Sequence, residues 1–442
     1  MLLVGNGRLV TRDPDNPYAD EGCVAVKGAE IAEVGRTAAL RAKYPDAEFV
    51  DAKGGLIMPG FINAHMHFYS TFSRGMTPPG APSQNFGEVL ERLWWRLDKA
   101  LTLEDTYYST MTAAIDAIKC GCTTMIDHHA SPHAVTGSLR EIAKATAAAG
   151  VRASLCYEVS ERDGQTITDK GIRENVDFID WAKAQKSPLL SGKLGLHASF
   201  TLGDKTLAKC REAMGDRTDG YHVHVAEGAV DEEDSVKKYG KRIVERFRDF
   251  GFTGPNSIFV HCIHVDENER AILKETGTAV VHNPESNMGN AVGAAKVLDF
   301  MKEGITLGLG TDGYLCDMIQ SWRVGNALCK HSNGHPNVGW GELPAMLFEN
   351  NAKIAERCFP VKLGRLKEGY AADVIVLDYL PPSEMNAGNV NGHLLFGASG
   401  RNVVTTIAAG RILMKDRKLT AIDREEVFAK ARECAERVWK RL

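Results

Sequence analysis

Two histidines placed two residues apart, His65 and His67, follow an apolar segment that runs from Leu56 to Ile62. Such a run is typical of a buried strand, and residues two apart in a strand point to the same face. Two imidazoles on one face can supply half of the ligands of a metal ion. Because two core histidines can also share a face by chance, the pair alone leaves both interpretations open.

Four later apolar segments end in residues of the same chemistry. Their ends carry His224 with Glu227 three residues on, His261, His282 and Asp312. Imidazole and carboxylate ligands together suit zinc or ferrous iron. Each residue alone could be a hydrogen-bonded core histidine or an N-cap aspartate. Their repetition at the ends of successive strands predicts a metal site.

The elements that must position these residues alternate between strands and helices. Strand-like segments begin near eight positions, and helical stretches follow most of them: Leu56, Thr123, Val151, Lys193, Tyr221, Ser257, Thr278 and Ile305. This pattern predicts an α/β fold, a (β/α)8 TIM barrel whose active site lies at the C-terminal ends of the strands. An open doubly wound sheet is the alternative, and it is disfavoured because the chain has no GxGxxG phosphate turn.

The two ends of the chain have a different sequence pattern from the alternating strands and helices between them. Residues 1–55 and 361–420 contain short strand candidates that glycine and aspartate interrupt. Neither piece is long enough to enclose a stable core, so we expect them to form one small β-sandwich together. The barrel is expected at residues 56–360, and an amphipathic helix that packs on the surface is expected at residues 421–442.

The composition is that of an ordinary globular chain, with 44% hydrophobic and 25% charged residues among 442. The net charge of -4 gives no indication of nucleic acid or an anionic membrane as a partner. No apolar segment approaches the length that spans a bilayer. The ten cysteines show no CxxC pattern and no signal peptide precedes them. We therefore expect free thiols and a cytoplasmic location.

Taken together, these motifs resemble the metal-dependent amidohydrolase superfamily, in its cytosine/guanine/adenosine-type deaminase branch. The likeness extends over nearly the whole chain, including the split β-sandwich. The segments that carry it are Pro59 to His67, His224 to Glu227, His261, His282 to Asn287, and Gly310 to Gly313. Within the branch, Leu93 to Asp98 and Ile126 to Pro132 are similar to the SsnA subgroup of aminohydrolases.

The resemblance implies a single divalent metal ion, zinc first and iron as the alternative. Its implied ligands are His65, His67, His224 and Asp312. A cation with an open position lowers the pKa of its bound water from about 15.7 towards about 7 and so provides hydroxide at neutral pH. The implied function is a hydrolase that acts on carbon-nitrogen bonds other than peptide bonds.

The resemblance also assigns roles to three catalytic residues. Glu227 would take the proton of the attacking water and pass it to a ring nitrogen of the substrate. Asp312 would relay a second proton to the leaving amine, and His261 would hydrogen-bond the water or the developing charge. The expected reaction deaminates a purine- or pyrimidine-like heterocycle and releases ammonia.

Substrate contacts are expected from four further residues. His197 matches a family position that touches substrate, although a satisfied strand-end histidine is an equal alternative. For His282, shaping the loop at the pocket mouth and touching the substrate are both open. Trp95 and Arg96 lie in a long insertion after the first barrel strand. Such a segment commonly covers a barrel mouth and supplies stacking and anion contacts.

Three other histidines are harder to interpret. His222 shares a strand face with His224 but lies one layer deeper, so we expect it in the barrel core. His128 and His129 end the second strand, and at most one of them can face the pocket because adjacent strand residues point in opposite directions.

Several alternatives remain beside the deaminase. A cyclic amidohydrolase with a carbamylated lysine is disfavoured because Lys193 opens the fourth strand rather than closing it. A hydrolytic dechlorinase of triazine type shares the same ligands and differs only in the leaving group. A non-catalytic scaffold is disfavoured because the four ligands and Glu227 are all present. The expected partner is a small-molecule substrate, with a homodimer as a further option.

Overall fold

The computed structural model describes all 442 residues of the chain. It contains eighteen strands: β1 Leu2–Val10, β2 Tyr18–Lys27, β3 Glu30–Gly35, β4 Glu48–Asp51, β5 Leu56–Pro59, β6 Phe61–Met66, β7 Cys122–Asp127, β8 Arg152–Leu155, β9 Leu190–Gly192, β10 Leu194–Leu196, β11 Tyr221–Val225, β12 Ile258–His261, β13 Ala279–His282, β14 Leu307–Leu309, β15 Val374–Leu377, β16 Val403–Ala408, β17 Arg411–Lys415 and β18 Lys418–Leu419.

The α-helices are α1 Thr37–Lys43, α2 Phe86–Val89, α3 Trp95–Lys99, α4 Leu103–Lys119, α5 Ser138–Ala149, α6 Gln165–Gln185, α7 Asp204–Met214, α8 Ala229–Tyr239, α9 Ile243–Asp249, α10 Glu267–Thr276, α11 Pro284–Gly289, α12 Val297–Glu303, α13 Met318–Asn333, α14 Glu342–Pro344, α15 Asn351–Glu356, α16 Val390–Gly397 and α17 Arg424–Trp439. Two π-helical segments, Leu90–Trp94 and Ala345–Asn350, each join a pair of these helices. Three short 3-10 helices lie at Phe68–Ser73, Ser199–Thr201 and Gly400–Asn402. No helix combines the length and the apolar character needed to cross a bilayer.

The barrel is built from two parallel sheets, β6-β7-β8-β9 and β10-β11-β12-β13-β14. A bridge between Met66 and Asp312 joins the first sheet to the second at one edge, and a bridge between Val159 and Leu196 joins them at the other. The fourth barrel strand is broken at Lys193 into β9 and β10. The predicted (β/α)8 barrel is therefore confirmed, and its strands from the second to the eighth start close to the predicted positions.

A nine-stranded mixed sheet combines both ends of the chain in the order β18-β17-β16-β15-β5-β1-β2-β3, with β4 beside β1. It includes β5, which pairs with β1 and β15. The expectation that Leu56 opens the first barrel strand is thus corrected, since that strand begins at Phe61. Gly60 stands between the two strands, where a Cβ atom would lie 2.4 Å from the Thr123 hydroxyl. Only glycine lets the chain pass from one sheet to the other at this distance.

A buried ion pair connects this sheet to the barrel. The Arg152 guanidinium at the start of β8 contacts the Asp373 carboxylate, which precedes β15. Arg152 also donates to the Thr124 hydroxyl at 2.9 Å, and the Asp373 carboxylate accepts from the Ala409 backbone N–H at 2.7 Å. Because both charged groups are buried, each depends on the other for stabilisation.

Helix α17 does more than cover the surface, because it anchors the segment that follows the histidine pair. Its Cys434 and Val438 are buried in one apolar cluster with Tyr69 and Phe72. The indole Nε1 of Trp439 donates to the Phe72 carbonyl at 2.8 Å. The C-terminal helix therefore holds in place the 3-10 turn Phe68–Ser73, which directly follows His65 and His67.

Candidate metal centre and active site

Three imidazoles and a carboxylate meet at the C-terminal mouth of the barrel. His65 lies near the end of β6, His67 directly follows that strand, His224 lies in β11, and Asp312 follows β14. The side-chain nitrogens of the three histidines that could bind a metal lie within 4.8 Å of one another. Oδ1 of Asp312 is 3.0 Å from Nε2 of His67 and 3.7 Å from Nε2 of His65. The structure thus brings together the four residues expected to be ligands.

Main-chain carbonyls fix the orientation of two of these imidazoles. Nδ1 of His67 lies 2.5 Å from the carbonyl oxygen of His128, and Nδ1 of His224 lies 3.0 Å from that of His197. Each Nδ1 must therefore carry its proton. The lone pair is then on Nε2, which is the atom left to bind a metal.

The third imidazole is oriented by another histidine. Nδ1 of His65 is 2.9 Å from Nε2 of His222, and Nδ1 of His222 is 3.6 Å from the sulfur of Cys156. Nε2 of His65 is buried and has no hydrogen-bond partner. A buried nitrogen with a free lone pair beside a carboxylate fits a cation. His222 is buried as expected, but it also positions a candidate ligand, a role that the sequence interpretation missed.

Several residues at this end of the barrel adopt left-handed backbone conformations. The φ angles are 49° at Ala226, 70° at His261, 48° at Cys262 and 53° at Asp312. Non-glycine residues rarely adopt such angles, and they cluster where a site requires a particular side-chain direction. The sharp turns end β12 and follow β11 and β14, and two of these residues, His261 and Asp312, contact each other in the site.

Glu227 and His261 lie beside the candidate ligands. Oε2 of Glu227 is 3.5 Å from Nε2 of His261, which in turn is 3.6 Å from Oδ2 of Asp312. Asn290 donates to Oε1 of Glu227 at 3.2 Å, and Nδ1 of His261 contacts Oδ1 of Asn287 at 2.8 Å. Burial raises the pKa of Glu227 to about 7, although the neighbouring His261 opposes this shift. The two catalytic candidates are thus oriented by two asparagines, of which the sequence interpretation missed Asn290.

A cavity of about 370 Å³ opens above this group. His197 and Trp95 line it, as expected for substrate contacts. Arg96 does not, because its guanidinium donates to the Pro79 carbonyl at 2.6 Å outside the cavity. His282 does not line it either, since this side chain is 1% exposed and its Nδ1 contacts the amide of Asn287 at 3.2 Å. The structure therefore corrects these two of the four expected contacts.

The segment that contains α2, a π-helical turn and α3 covers the cavity, in agreement with the expected lid. Apolar side chains from this segment form much of the lining: Phe86, Val89, Leu90, Leu93, Trp94 and Trp95. Phe86 also packs against a small apolar cluster of Ile263, Val292 and Ala295 on the other side of the mouth. The lid thus reaches across the mouth and forms one side of the cavity.

His128 and His129, which follow the second barrel strand β7, point in opposite directions, as strand geometry predicts. The His128 ring centroid lies 4.5 Å from that of His224, and its Nε2 is 3.1 Å from the Leu196 carbonyl. His129 turns the other way and contacts the Ser131 hydroxyl at 2.9 Å. Only His128 therefore faces the centre, and it lies beneath the cavity rather than in its lining.

Two buried carboxylates complete one wall of the cavity, and the sequence interpretation missed both. Nη2 of Arg162 is 2.5 Å from Oδ2 of Asp98 and 3.4 Å from Oε1 of Glu158. Burial raises the pKa of Asp98 to about 6 despite Arg162. For Glu158, burial alone would raise the pKa, but His197, His128 and Arg162 together hold it below its ordinary value. Glu158 follows the end of β8, so the same search of strand ends could have found it.

Comparisons with known proteins agree with this fold. A model of the amidohydrolase family matches residues 56–413, and a model of a bacterial imidazolonepropionase-like composite domain matches residues 22–47. The chain is 31% identical to a 5'-deoxyadenosine deaminase of Methanosarcina mazei, over 100% of this chain and 99% of the relative. It is 32% identical to a 5-methylthioadenosine/S-adenosylhomocysteine deaminase of Syntrophomonas wolfei, over 99% of both chains. The chain therefore belongs to the amidohydrolase family, which confirms the resemblance.

A solved structure has the same architecture. An adenosine deaminase from Xanthomonas campestris with bound zinc superimposes with a TM-score of 0.87 and 23% identity, covering 99% of this chain and 98% of that one. At this identity the likeness supports the fold: a barrel together with the composite sheet.

Proposed function

We propose that this protein is a metal-dependent aminohydrolase that deaminates a nitrogen heterocycle and releases ammonia. The observation that carries the proposal is the buried Nε2 of His65, which has no partner and lies beside the Asp312 carboxylate. The cavity above this pair is the second support. Relatives of 31% and 32% identity that are named deaminases support the same reaction.

The metal would be held by His65, His67, His224 and Asp312, whose donor set fits zinc, with iron as the alternative. When bound, such an ion lowers the pKa of a coordinated water towards about 7 and so supplies a nucleophile at neutral pH. The carbonyls and the His222 ring that bind the Nδ1 atoms keep the three Nε2 atoms directed at one point.

Glu227 is the residue that we assign to the first proton transfers. Its carboxylate accepts a proton from the attacking water and donates it to the ring nitrogen next to the carbon that bears the amine. That carbon becomes more electrophilic as its neighbour is protonated. The hydrogen bond from Asn290 keeps the carboxylate in position for both transfers.

Asp312 and His261 act on the later part of the reaction. Nε2 of His261 interacts with the oxygen that is added to the ring, where negative charge develops. The Asp312 carboxylate, 3.6 Å from that nitrogen, takes the second proton of the water from that oxygen and passes it to the amine. The C–N bond then breaks, ammonia leaves, and the ring retains the oxygen of water as a carbonyl. The reaction therefore balances: one water and one amino-substituted ring give one ring carbonyl and one ammonia.

The cavity walls suit a flat, ring-shaped substrate. Trp94 and Trp95 from the lid line the cavity together with His197. Aromatic side chains stack on planar heterocycles and exclude bulk water from them. The names of the relatives place adenine nucleosides first among the candidates, ahead of free purines and pyrimidines.

The test is ammonia release by zinc-loaded protein from a panel of adenine nucleosides, free amino-purines and amino-pyrimidines. We expect turnover of at least one of them. A chloro-triazine is included with chloride as the readout, because a dechlorinase would use the same ligands. If none of the amino compounds releases ammonia, the proposal is wrong.

A variant separates the chemistry from substrate binding. Glu227→Gln should keep its zinc and lose turnover by about 100-fold to 10,000-fold, as expected for removal of a general acid-base residue. The matched control is Glu233→Gln, on the exposed face of α8, which should retain turnover. Turnover by Glu227→Gln at the rate of the control would contradict the role of Glu227.

A further inference from the structure

One wall of the cavity carries an excess of negative charge. The twenty residues that line the cavity include four carboxylates and no lysine or arginine. Two of these carboxylates, Glu227 and Asp312, belong to the catalytic group. The other two, Asp98 and Glu158, form a separate wall between α3 and the end of β8.

The cations near this wall are already paired. Arg162 lies behind it, with Nη2 2.5 Å from Asp98 and 3.4 Å from Glu158. Nζ of Lys99 forms an ion pair with Oδ1 of Asp163 at 2.8 Å. Neither cation lines the cavity, so an anion that enters it meets neither of them, although Nε and Nη1 of Arg162 have no hydrogen-bond partner.

The two imidazoles that face the wall are also directed at a carboxylate. Nδ1 of His128 is 3.3 Å from Oε2 of Glu158, and Nε2 of His197 is 3.9 Å from Oε1. Both nitrogens lie at ion-pair distance from Glu158 without a hydrogen bond to it, so Glu158 is the anion that these two rings face. A second anion at the same place would compete for the same donors.

The wall has unused acceptor capacity. Oδ1 of Asp98 is buried and has no hydrogen-bond partner. A buried carboxylate oxygen without a donor is costly, and a ligand that brings an N–H or O–H relieves the cost. Like charges placed next to each other, in contrast, repel and disfavour binding.

We propose that the Asp98–Glu158 wall selects the substituent of the substrate, accepting neutral or cationic groups that donate hydrogen bonds and excluding carboxylates and phosphates. This inference rests on the proposed function, because it concerns the part of the substrate that lies outside the reacting ring. Glu158 is the specificity-determining residue, since it is the carboxylate that both lines the cavity and faces the imidazoles.

The experiment uses three adenosine analogues that share the reacting ring and differ only at the 5' position. These are adenosine, 5'-amino-5'-deoxyadenosine and adenosine-5'-carboxylic acid, which are neutral, cationic and anionic. Binding to the zinc-loaded Glu227→Gln protein is measured by calorimetry, so that no turnover interferes. We expect the carboxylic acid to bind about 100-fold more weakly than the other two.

Substitution of the wall tests the cause. In the Glu227→Gln background, Glu158→Gln should lower the ratio of the dissociation constants of the carboxylic acid and adenosine by about tenfold. This change corresponds to about 1.4 kcal/mol. The matched control is Glu161→Gln, an exposed residue of the same loop, which should leave the order unchanged. Zinc content is measured for each variant, because Glu158 lies close to the metal centre.

Three results would overturn the proposal: the anion binds as tightly as adenosine, none of the three analogues binds, or folded, zinc-loaded Glu158→Gln keeps the full discrimination. If Glu158→Gln does not fold, the order of affinities of the three analogues for the Glu227→Gln protein still tests the proposal. Should wild-type protein release no ammonia while the ranking holds, the proposed function fails and the binding inference stands.

Discussion

Replacement of His222 by phenylalanine removes the acceptor of the hydrogen bond from Nδ1 of His65. That bond is 2.9 Å long and lies in a fully buried site, where no water replaces the lost partner. Loss of such a partner behind a metal ligand typically costs 10–100-fold in metal affinity, about 1.4–2.7 kcal/mol. The cost of leaving one N–H unsatisfied in a buried site, about 1–3 kcal/mol, leads to the same range.

The assay is a competition between the metal-free protein and a chromophoric chelator for zinc. His222→Phe should raise the zinc dissociation constant by about 10–100-fold while the circular dichroism spectrum is unchanged. Cys156→Ala is the matched control, since the sulfur is 3.6 Å from Nδ1 of His222 and contributes a weak contact. An unaltered zinc affinity in a folded His222→Phe protein would refute the role assigned to His222.

Two further predictions concern stability. Asp373→Asn leaves the buried charge of Arg152 without its counterion, so the free energy of unfolding in urea should fall by about 3–5 kcal/mol, and a loss below about 1 kcal/mol would contradict the structural role of the pair. Burial and the neighbouring Glu269 raise the pKa of Glu232 from 4.5 to about 9, so the folded protein holds an extra proton between these pH values. Stability should therefore fall as pH rises through this window, by at most about 1.4 kcal/mol per pH unit. Glu232→Gln should lessen this slope when urea unfolding at pH 6 and pH 8 is compared, whereas an equal slope in both proteins would contradict the assignment.

The candidate ligands could be predicted from the sequence because strand geometry is simple. A period of two places His65 and His67 on one face, and parallel strands bring their C-terminal ends to the same side of a barrel. His224 and Asp312 end or follow strands of the same barrel, but so do His261 and His282. Strand geometry therefore groups these residues, and the family resemblance selects the four expected ligands among them.

The start of the barrel could not be placed in the same way. The apolar run from Leu56 to Ile62 is continuous in sequence, yet it contributes to two sheets that meet at Gly60. An apolar run predicts burial but not the identity of the neighbouring strands. That identity depends on β1 and β15, which lie far away in sequence.

Which residues of the lid segment contact the substrate depends on which side of its helix faces the cavity. The sequence does not determine that orientation. Trp95 and Arg96 are adjacent, and a helical turn rotates successive side chains by about 100°. The π-helical segment Leu90–Trp94 adds a residue to the turn and changes the phase. Of these two residues, only Trp95 therefore faces the cavity. Asp98 was missed because it lies on this same helical segment, whereas Glu158 follows the end of β8 and could have been found by the search of strand ends.

The central claim is that four side chains hold one divalent metal ion at the mouth of the barrel. Its most direct test is anomalous diffraction at the zinc edge from crystals of the zinc-loaded protein. We expect one peak within about 2.2 Å of Nε2 of His65, His67 and His224 and of a carboxylate oxygen of Asp312. A zinc peak bound by other residues, or no peak after loading, would contradict the account.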